Sequence, residues 1–205
     1  MFVEQLKTQF GTSLRGPLLI TPQLFEDDRG FFYESWNQRS FCSELIAAGC
    51  SEADAEAIQF RQDNHSRSCR GVLRGLHFQL PPVPQGKLVR CTRGSVFDVA
   101  VDLRRSSTTF SQWAGVILTA ENYQQFWIPV GFAHGFLTLS EVAEVQYKAS
   151  GFWNRDCERS LRWNDPTLAI QWPLVEAAIT TPLLAPKDSC APFLEDLARS
   201  DEVFA

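Results

Sequence analysis

The stretch Lys87-Leu88-Val89-Arg90-Cys91-Thr92-Arg93-Gly94-Ser95-Val96-Phe97-Asp98-Val99-Ala100-Val101-Asp102-Leu103 decides the fold class. In its second half Phe97, Val99, Val101 and Leu103 fall on one face of an extended chain, and Asp98, Ala100 and Asp102 on the other. Arg93-Gly94 interrupts two apolar runs, so the stretch reads as a β-hairpin.

The same texture extends outward, from about residue 57 to 165. Short runs rich in Val, Phe, Leu, Tyr and Trp recur at Trp113–Leu118, Gln125–Ile128, Gly135–Leu139 and Val142–Lys148, separated by Gly, Pro and Asn. Upstream, Leu18-Leu19-Ile20 and Phe31-Phe32-Tyr33-Glu34 flank a turn at Glu26-Asp27-Asp28-Arg29-Gly30. Helical spacing is confined to Arg39–Ala48, through Phe41, Leu45 and Ile46 with Gly49 as the stop, and to one short helix within Ala191–Ala205. Many short strands with few helices predict a mainly β sandwich or barrel. With no repeat, low-complexity tract or linker, residues 1–205 read as one domain.

Composition narrows the class of function. Nineteen basic residues against twenty-four acidic ones give a net charge of −5, which disfavours a nucleic-acid surface. Fifteen of the positive charges are arginine, a planar donor fork suited to phosphate, and only Lys7, Lys87, Lys148 and Lys187 are lysine. No apolar run approaches the roughly 20 residues that span a bilayer. The first residues, Met1-Phe2-Val3-Glu4-Gln5-Leu6-Lys7, lack a signal peptide's pattern, so a cytoplasmic location and no membrane partner are expected. Cys42, Cys50, Cys69, Cys91, Cys157 and Cys190 form no C-x-x-C pair and read as reduced core residues.

Three histidines, His65, His77 and His134, are the side chains that titrate near neutrality. A metal site finds little support: His77 is followed by Phe78-Gln79 rather than a second His at i+2, and no acidic residue separates His65 from His77. No G-x-S-x-G, cysteine-protease flank, G-x-G-x-x-G or Walker sequence occurs. A nucleotide would have to be held by side chains on a rigid sheet.

Seven segments, in this order, carry a resemblance. They are Asp28-Arg29-Gly30-Phe31-Phe32-Tyr33-Glu34, Gln62-Asp63-Asn64-His65-Ser66, Gly71 through Gln79, Gln85-Gly86-Lys87-Leu88-Val89, Gly94 through Asp102, Pro129 through Phe136, and Trp163-Asn164-Asp165-Pro166. Together they resemble the dTDP-4-dehydrorhamnose 3,5-epimerase family over about residues 17–190. The resemblance implies a cupin-type jelly-roll β-barrel with a few peripheral helices, a homodimer, and neither metal nor organic cofactor. It implies a dTDP-linked 4-keto-6-deoxy sugar as substrate. On the matching positions, His77 is the general base, Asp188 its partner, Tyr147 the proton donor, and Lys87 the cation facing the C4 oxygen. Arg29, Glu34, Gln62, Asp63, Asn64, Arg74, Glu158 and Lys187 are implied to hold the nucleotide, and His134 and Asp98 to floor the pocket. A single-carbon epimerase, a ketoisomerase on the same barrel, and a non-enzymatic sugar-binding cupin are the rival readings.

One spacing tests these roles. Arg74 and His77 are three apart, and an ideal strand would point them to opposite faces. An irregularity at Gly75 is therefore predicted.

Overall fold

The computed structural model describes residues 1–205, and alternation of apolar residues does produce strands almost throughout. The chain begins with β1 (Phe2–Lys7), β2 (Ser13–Thr21), and the small hairpin β3 (Phe25–Asp27) and β4 (Gly30–Phe32). Two helices follow, α1 (Gln38–Ala47) and α2 (Glu52–Ala57). Then come β5 (Gln62–Cys69), β6 (Leu73–Gln79), β7 (Lys87–Arg93), β8 (Ser95–Asp102), β9 (Trp113–Thr119), β10 (Gln125–Ile128), β11 (Phe132–Thr138), β12 (Val142–Ala149) and β13 (Glu158–Ser160). The short helices α3 (Pro186–Ser189) and α4 (Leu194–Arg199) close the chain.

The strands form two facing antiparallel sheets. One has the order β1-β2-β10-β7-β12-β5, the other β13-β6-β11-β8-β9. Strand β9 lies against β2, β7 and β10 and closes one side of the sandwich. Between the sheets, Leu14, Val89, Val96, Ala100, Leu118, Phe126, Ile128 and Val145 interdigitate as the central core. Both outer faces are also covered. The segment after β13 packs Leu161, Leu168, Trp172, Leu194 and Leu197 against Val99 and Val101. On the other sheet, Phe41 and Leu45 of α1 meet Leu88 and Trp127.

Local chemistry accounts for the helix bounds. Asn37 caps α1 by accepting from the Arg39 and Ser40 amides, and Gly49 adopts φ +97° just beyond its end. Ser51 caps α2 the same way, through the Asp54 amide. Helix α2, β1 and α3 were not foreseen, and Ile46, expected on the buried face of α1, is 40% exposed.

The expected hairpin at Arg93-Gly94 is corrected. Strand β7 pairs with β10 and β12, whereas β8 pairs with β9 and β11, so Gly94 turns the chain from one sheet into the other. A hairpin and a sheet-to-sheet corner bury the same alternating residues, so the pattern alone does not separate them. Gly94 has φ +69°, and a Cβ there would lie 2.2 Å from Val142 O and Ser140 Oγ. The alternation in β8 holds, but the Asp98–Ala100–Asp102 face points inward and is fully buried. The cysteines are all unpaired, as expected, yet only Cys91 is buried, and Cys69 and Cys190 are exposed.

The irregularity predicted at Gly75 is present. His134 pairs with His77 and Phe136 with Arg74, so β6 spends one more residue than β11 over the same interval. Gly75 has φ +116°, and a Cβ on it would stand 2.7 Å from both Gly135 Cα and His134 O. Gly75→Ala should therefore lower the unfolding free energy by about 1–3 kcal/mol through backbone strain. Urea denaturation measures this, and an unchanged midpoint would show that the strands yield there.

Candidate active site

At the open end of the sandwich a cavity of about 680 Å³ lies between the sheets. Its walls follow from strand parity. On β5, Gln62, Asn64 and Ser66 point inward while Asp63, His65 and Arg67 point out. On β12, Tyr147 points inward, directly opposite Asn64 on one side and Val89 on the other. Lys87 enters from the start of β7. The second sheet supplies Arg74 and His77 from β6, made cofacial by the bulge, and His134 and Phe136 from β11. Glu158 of β13 and Lys187 and Asp188 of α3 complete the rim.

Two imidazole–carboxylate pairs sit side by side on the second sheet. His77 Nε2 lies 2.6 Å from Asp188 Oδ1, and His134 Nε2 lies 2.8 Å from Asp98 Oδ1. An ionised carboxylate accepts, so His77 Nε2 carries the proton and Nδ1 keeps the basic lone pair. Asp188 is only 2% exposed, and its other oxygen lies 3.5 Å from the Gly75 amide, so the bulge also steadies the carboxylate. Burial lowers the His77 pKa below its ordinary value, with Asp188 partly opposing. The ring is accordingly neutral at pH 7.

Opposite, burial raises the Tyr147 phenol and the nearby Glu158 charge adds to the effect, so Tyr147 stays protonated. Lys87 is brought down to about 8, chiefly by burial, with Asp98 and Glu158 holding its charge. Its ammonium stands 6.0 Å from the centre of the Tyr147 ring. Burial works against the Glu158 carboxylate, but its ion pair with Lys187 at 3.1 Å keeps its pKa below the ordinary value. Arg74 is braced by its Nε donating to Ser68 Oγ at 3.0 Å and Nη2 to Arg67 O at 3.3 Å. Asn64 Nδ2, on the cavity wall, is buried without a hydrogen-bond partner.

Of the residues singled out in the sequence, His77, Tyr147, Asp188, Lys87, Gln62, Asn64, Arg74, His134, Glu158 and Lys187 meet in this cavity. Asp98 lies behind His134, fully buried. Three do not join them. Arg29 projects from the β3–β4 hairpin and pairs with Asp27, Glu34 is exposed and accepts from Asn37, and Asp63 pairs with Lys148 on the outer sheet face. For Asp63 the reason is parity, since its two neighbours face inward. Sequence reasoning missed Gln85, Trp153 and the Leu183-Leu184-Ala185 wall. Ser66 and Ser68 carried a usable signal, because they continue the alternation of Gln62 and Asn64. No group of three or more His, Cys, Asp or Glu side chains converges as a metal cradle.

Two facing antiparallel sheets with a neutral imidazole and a protonated phenol on opposite walls of the cavity define a β-barrel of the cupin type. The model of the dTDP-4-dehydrorhamnose 3,5-epimerase family matches residues 11–196. The chain is 57% identical over 171 residues to the dTDP-4-dehydrorhamnose 3,5-epimerase of Pseudomonas aeruginosa, covering 83% of this chain and 87% of that one. It is 48% identical over 188 residues to the Escherichia coli enzyme, covering 92% and 95%. Among solved structures, a dTDP-6-deoxy-D-glucose-3,5-epimerase of Legionella pneumophila in complex with dTDP-4-keto-L-rhamnose superposes with a TM-score of 0.84. It is 43% identical and covers 99% of this chain and 98% of that one. The chain belongs to the dTDP-4-dehydrorhamnose 3,5-epimerase family.

Because Asp188 opposes the burial shift on His77, Asp188→Asn should lower the His77 pKa further. An NMR titration of the imidazole reads the shift, and a rise would mean that Asp188 does not charge-couple to the ring.

Proposed function

We propose that the chain is a dTDP-4-dehydrorhamnose 3,5-epimerase, converting dTDP-4-dehydro-6-deoxyglucose to dTDP-4-dehydro-L-rhamnose in dTDP-rhamnose biosynthesis. One observation carries the mechanism: the base and the acid come from opposite sheets. His77 stands on the five-stranded sheet and Tyr147 on the six-stranded one, with the cavity between them. A sugar ring lying between the sheets offers one face to each, and inversion requires a proton to leave one face and return to the other.

In this reading the C4 ketone acidifies the C3 and C5 protons. His77 Nδ1 takes the proton, its new charge balanced by Asp188, and the electron pair moves onto the C4 oxygen as an enolate. Lys87 holds that oxygen, an interaction typically worth about 3–4 kcal/mol of barrier at such sites. The Tyr147 hydroxyl returns a proton to the opposite face; the imidazolium then releases its proton to solvent and the phenolate takes one up, and the cycle repeats at the second carbon. Arg74, braced from behind, would bind the diphosphate, with Asn64 offering an unused donor and Gln62, Glu158 and Lys187 lining the rest.

The whole chain would act as one domain in the cytoplasm and as a homodimer. Arg29 and Glu34 fit that reading. They flank the exposed Phe31 and Phe32, outside their own cavity, where a second copy docking on the hairpin would bury those rings and recruit the charges.

His77→Asn should reduce kcat by at least about a hundredfold, the usual worth of a positioned general base. A near-normal rate would place the base elsewhere. In deuterium oxide, label should enter at both C3 and C5, and exchange at one carbon alone would reduce the activity to a single-carbon epimerase. The pH profile of kcat/KM should fall on the acid side below pH 6.5 as His77 gains a proton. It should also fall on the alkaline side near pH 8 as Lys87 loses one. A rate that stays flat through pH 9 would show that the Lys87 charge is not needed.

A further inference from the structure

Gln79 is 3% exposed and sits two residues beyond His77 on β6, directly across from Glu158 of β13. Its amide is fully used. Nε2 donates to Val83 O and, at 3.1 Å, to Phe152 O, while Oε1 accepts from the Asn154 amide at 2.9 Å. These partners belong to two different loops. Val83 lies in the segment that leads into Lys87, and Phe152 and Asn154 lie in the segment between Tyr147 and Glu158. The second loop is pinned twice more, by Gln85 Nε2 donating to Gly151 O at 2.7 Å and by Gln62 Oε1 accepting from the Trp153 amide at 2.9 Å. This loop carries Trp153, which lines the cavity while remaining 56% exposed. That indole is placed by the backbone of its loop and by its hydrogen bond with Glu158.

From this geometry we infer that Gln79 is a positioning residue. Its one buried amide ties the Val83 turn and the Trp153–Glu158 segment to β6 at the cavity mouth, and so governs affinity for the nucleotide portion of the substrate rather than the proton transfers. The inference rests on the cavity being the nucleotide-sugar site. Gln79 touches none of the proton-transferring groups, whereas both loops it joins carry cavity wall. Losing the amide loosens the loop of Trp153 and Glu158, leaving it the Gln85 and Gln62 bonds alone, without altering the His77–Asp188 or Tyr147 geometry.

Gln79→Met keeps the side-chain volume and removes all three hydrogen bonds. Calorimetric titration with dTDP, together with steady-state kinetics on the keto-sugar nucleotide, should show the dTDP Kd and the KM each raised about tenfold. The kcat at saturation should stay within about threefold of the unsubstituted protein. A variant with unchanged Kd and KM overturns the inference. So does one in which kcat falls while KM holds, the pattern of general loosening. Should Gln79→Met not fold, Gln79→Asn keeps an amide too short to span both loops and is read by the same split. Failure of the unsubstituted protein to bind dTDP would instead sink the nucleotide-sugar reading, which keeps the two outcomes separate.

Discussion

The site depends on a close approach of two backbones. Strands β6 and β11 pass through Gly75 and Gly135 with no room for a Cβ on either, since one at Gly135 would lie 2.7 Å from Arg74 O. That contact houses the extra residue of the bulge. The bulge in turn rotates Arg74 onto the face of His77 and places His77 beside His134. It also presents the Gly75 amide to Asp188, tying helix α3 to the strand that bears His77. A straight β6 would put Arg74 and His77 on opposite faces of one sheet, and no single cavity would hold both.

Around that frame, burial tunes the chemistry. The same desolvation that holds His77 neutral keeps the Tyr147 phenol protonated and brings Lys87 to about 8. Each group is thereby set in the form that the proposed proton exchange calls for. The carboxylates are placed to limit the effect rather than to drive it. Asp188 returns some basicity to His77, while Asp98 and Glu158 keep the lysine charged at neutral pH. The cavity can therefore be dry enough to shift pKa values and still receive an anionic nucleotide.

The sheet-to-sheet arrangement also explains why the core is continuous on three levels. Strand β8 is buried on both faces, inward by Ala100 against Phe126 and Val145, outward by Val99 and Val101 against the segment after β13. Of the two aspartates on its inner face, Asp102 is fully hydrogen-bonded, whereas Asp98 is paired through Oδ1 alone and its Oδ2 is buried without a partner. Asp98 meets His134, and Asp102 accepts from Arg104, Ser107 and Thr109, which holds its pKa below the usual carboxylate range against the cost of burial.

By itself the sequence determined the β character, the ends of α1, the strand runs from β8 to β12 and the need for an irregularity at Gly75. The first three are consequences of side-chain periodicity and backbone sterics within a few residues, and the last follows from strand parity once the family resemblance places Arg74 and His77 in one pocket. The motif order also pointed to the family and to most of the cavity. Tertiary structure alone decided that Gly94 joins two sheets, that the acidic face of β8 is the inner one, and that Asp63 turns away from Asn64 while Arg29 and Glu34 stay outside the cavity. The contact of Asp188 with His77 across 111 residues, which the resemblance implied, likewise forms only in the folded chain. The physical reason is that alternation specifies which side chains share a face and leaves open what that face is packed against. A contact between distant segments is fixed only when the sheets close.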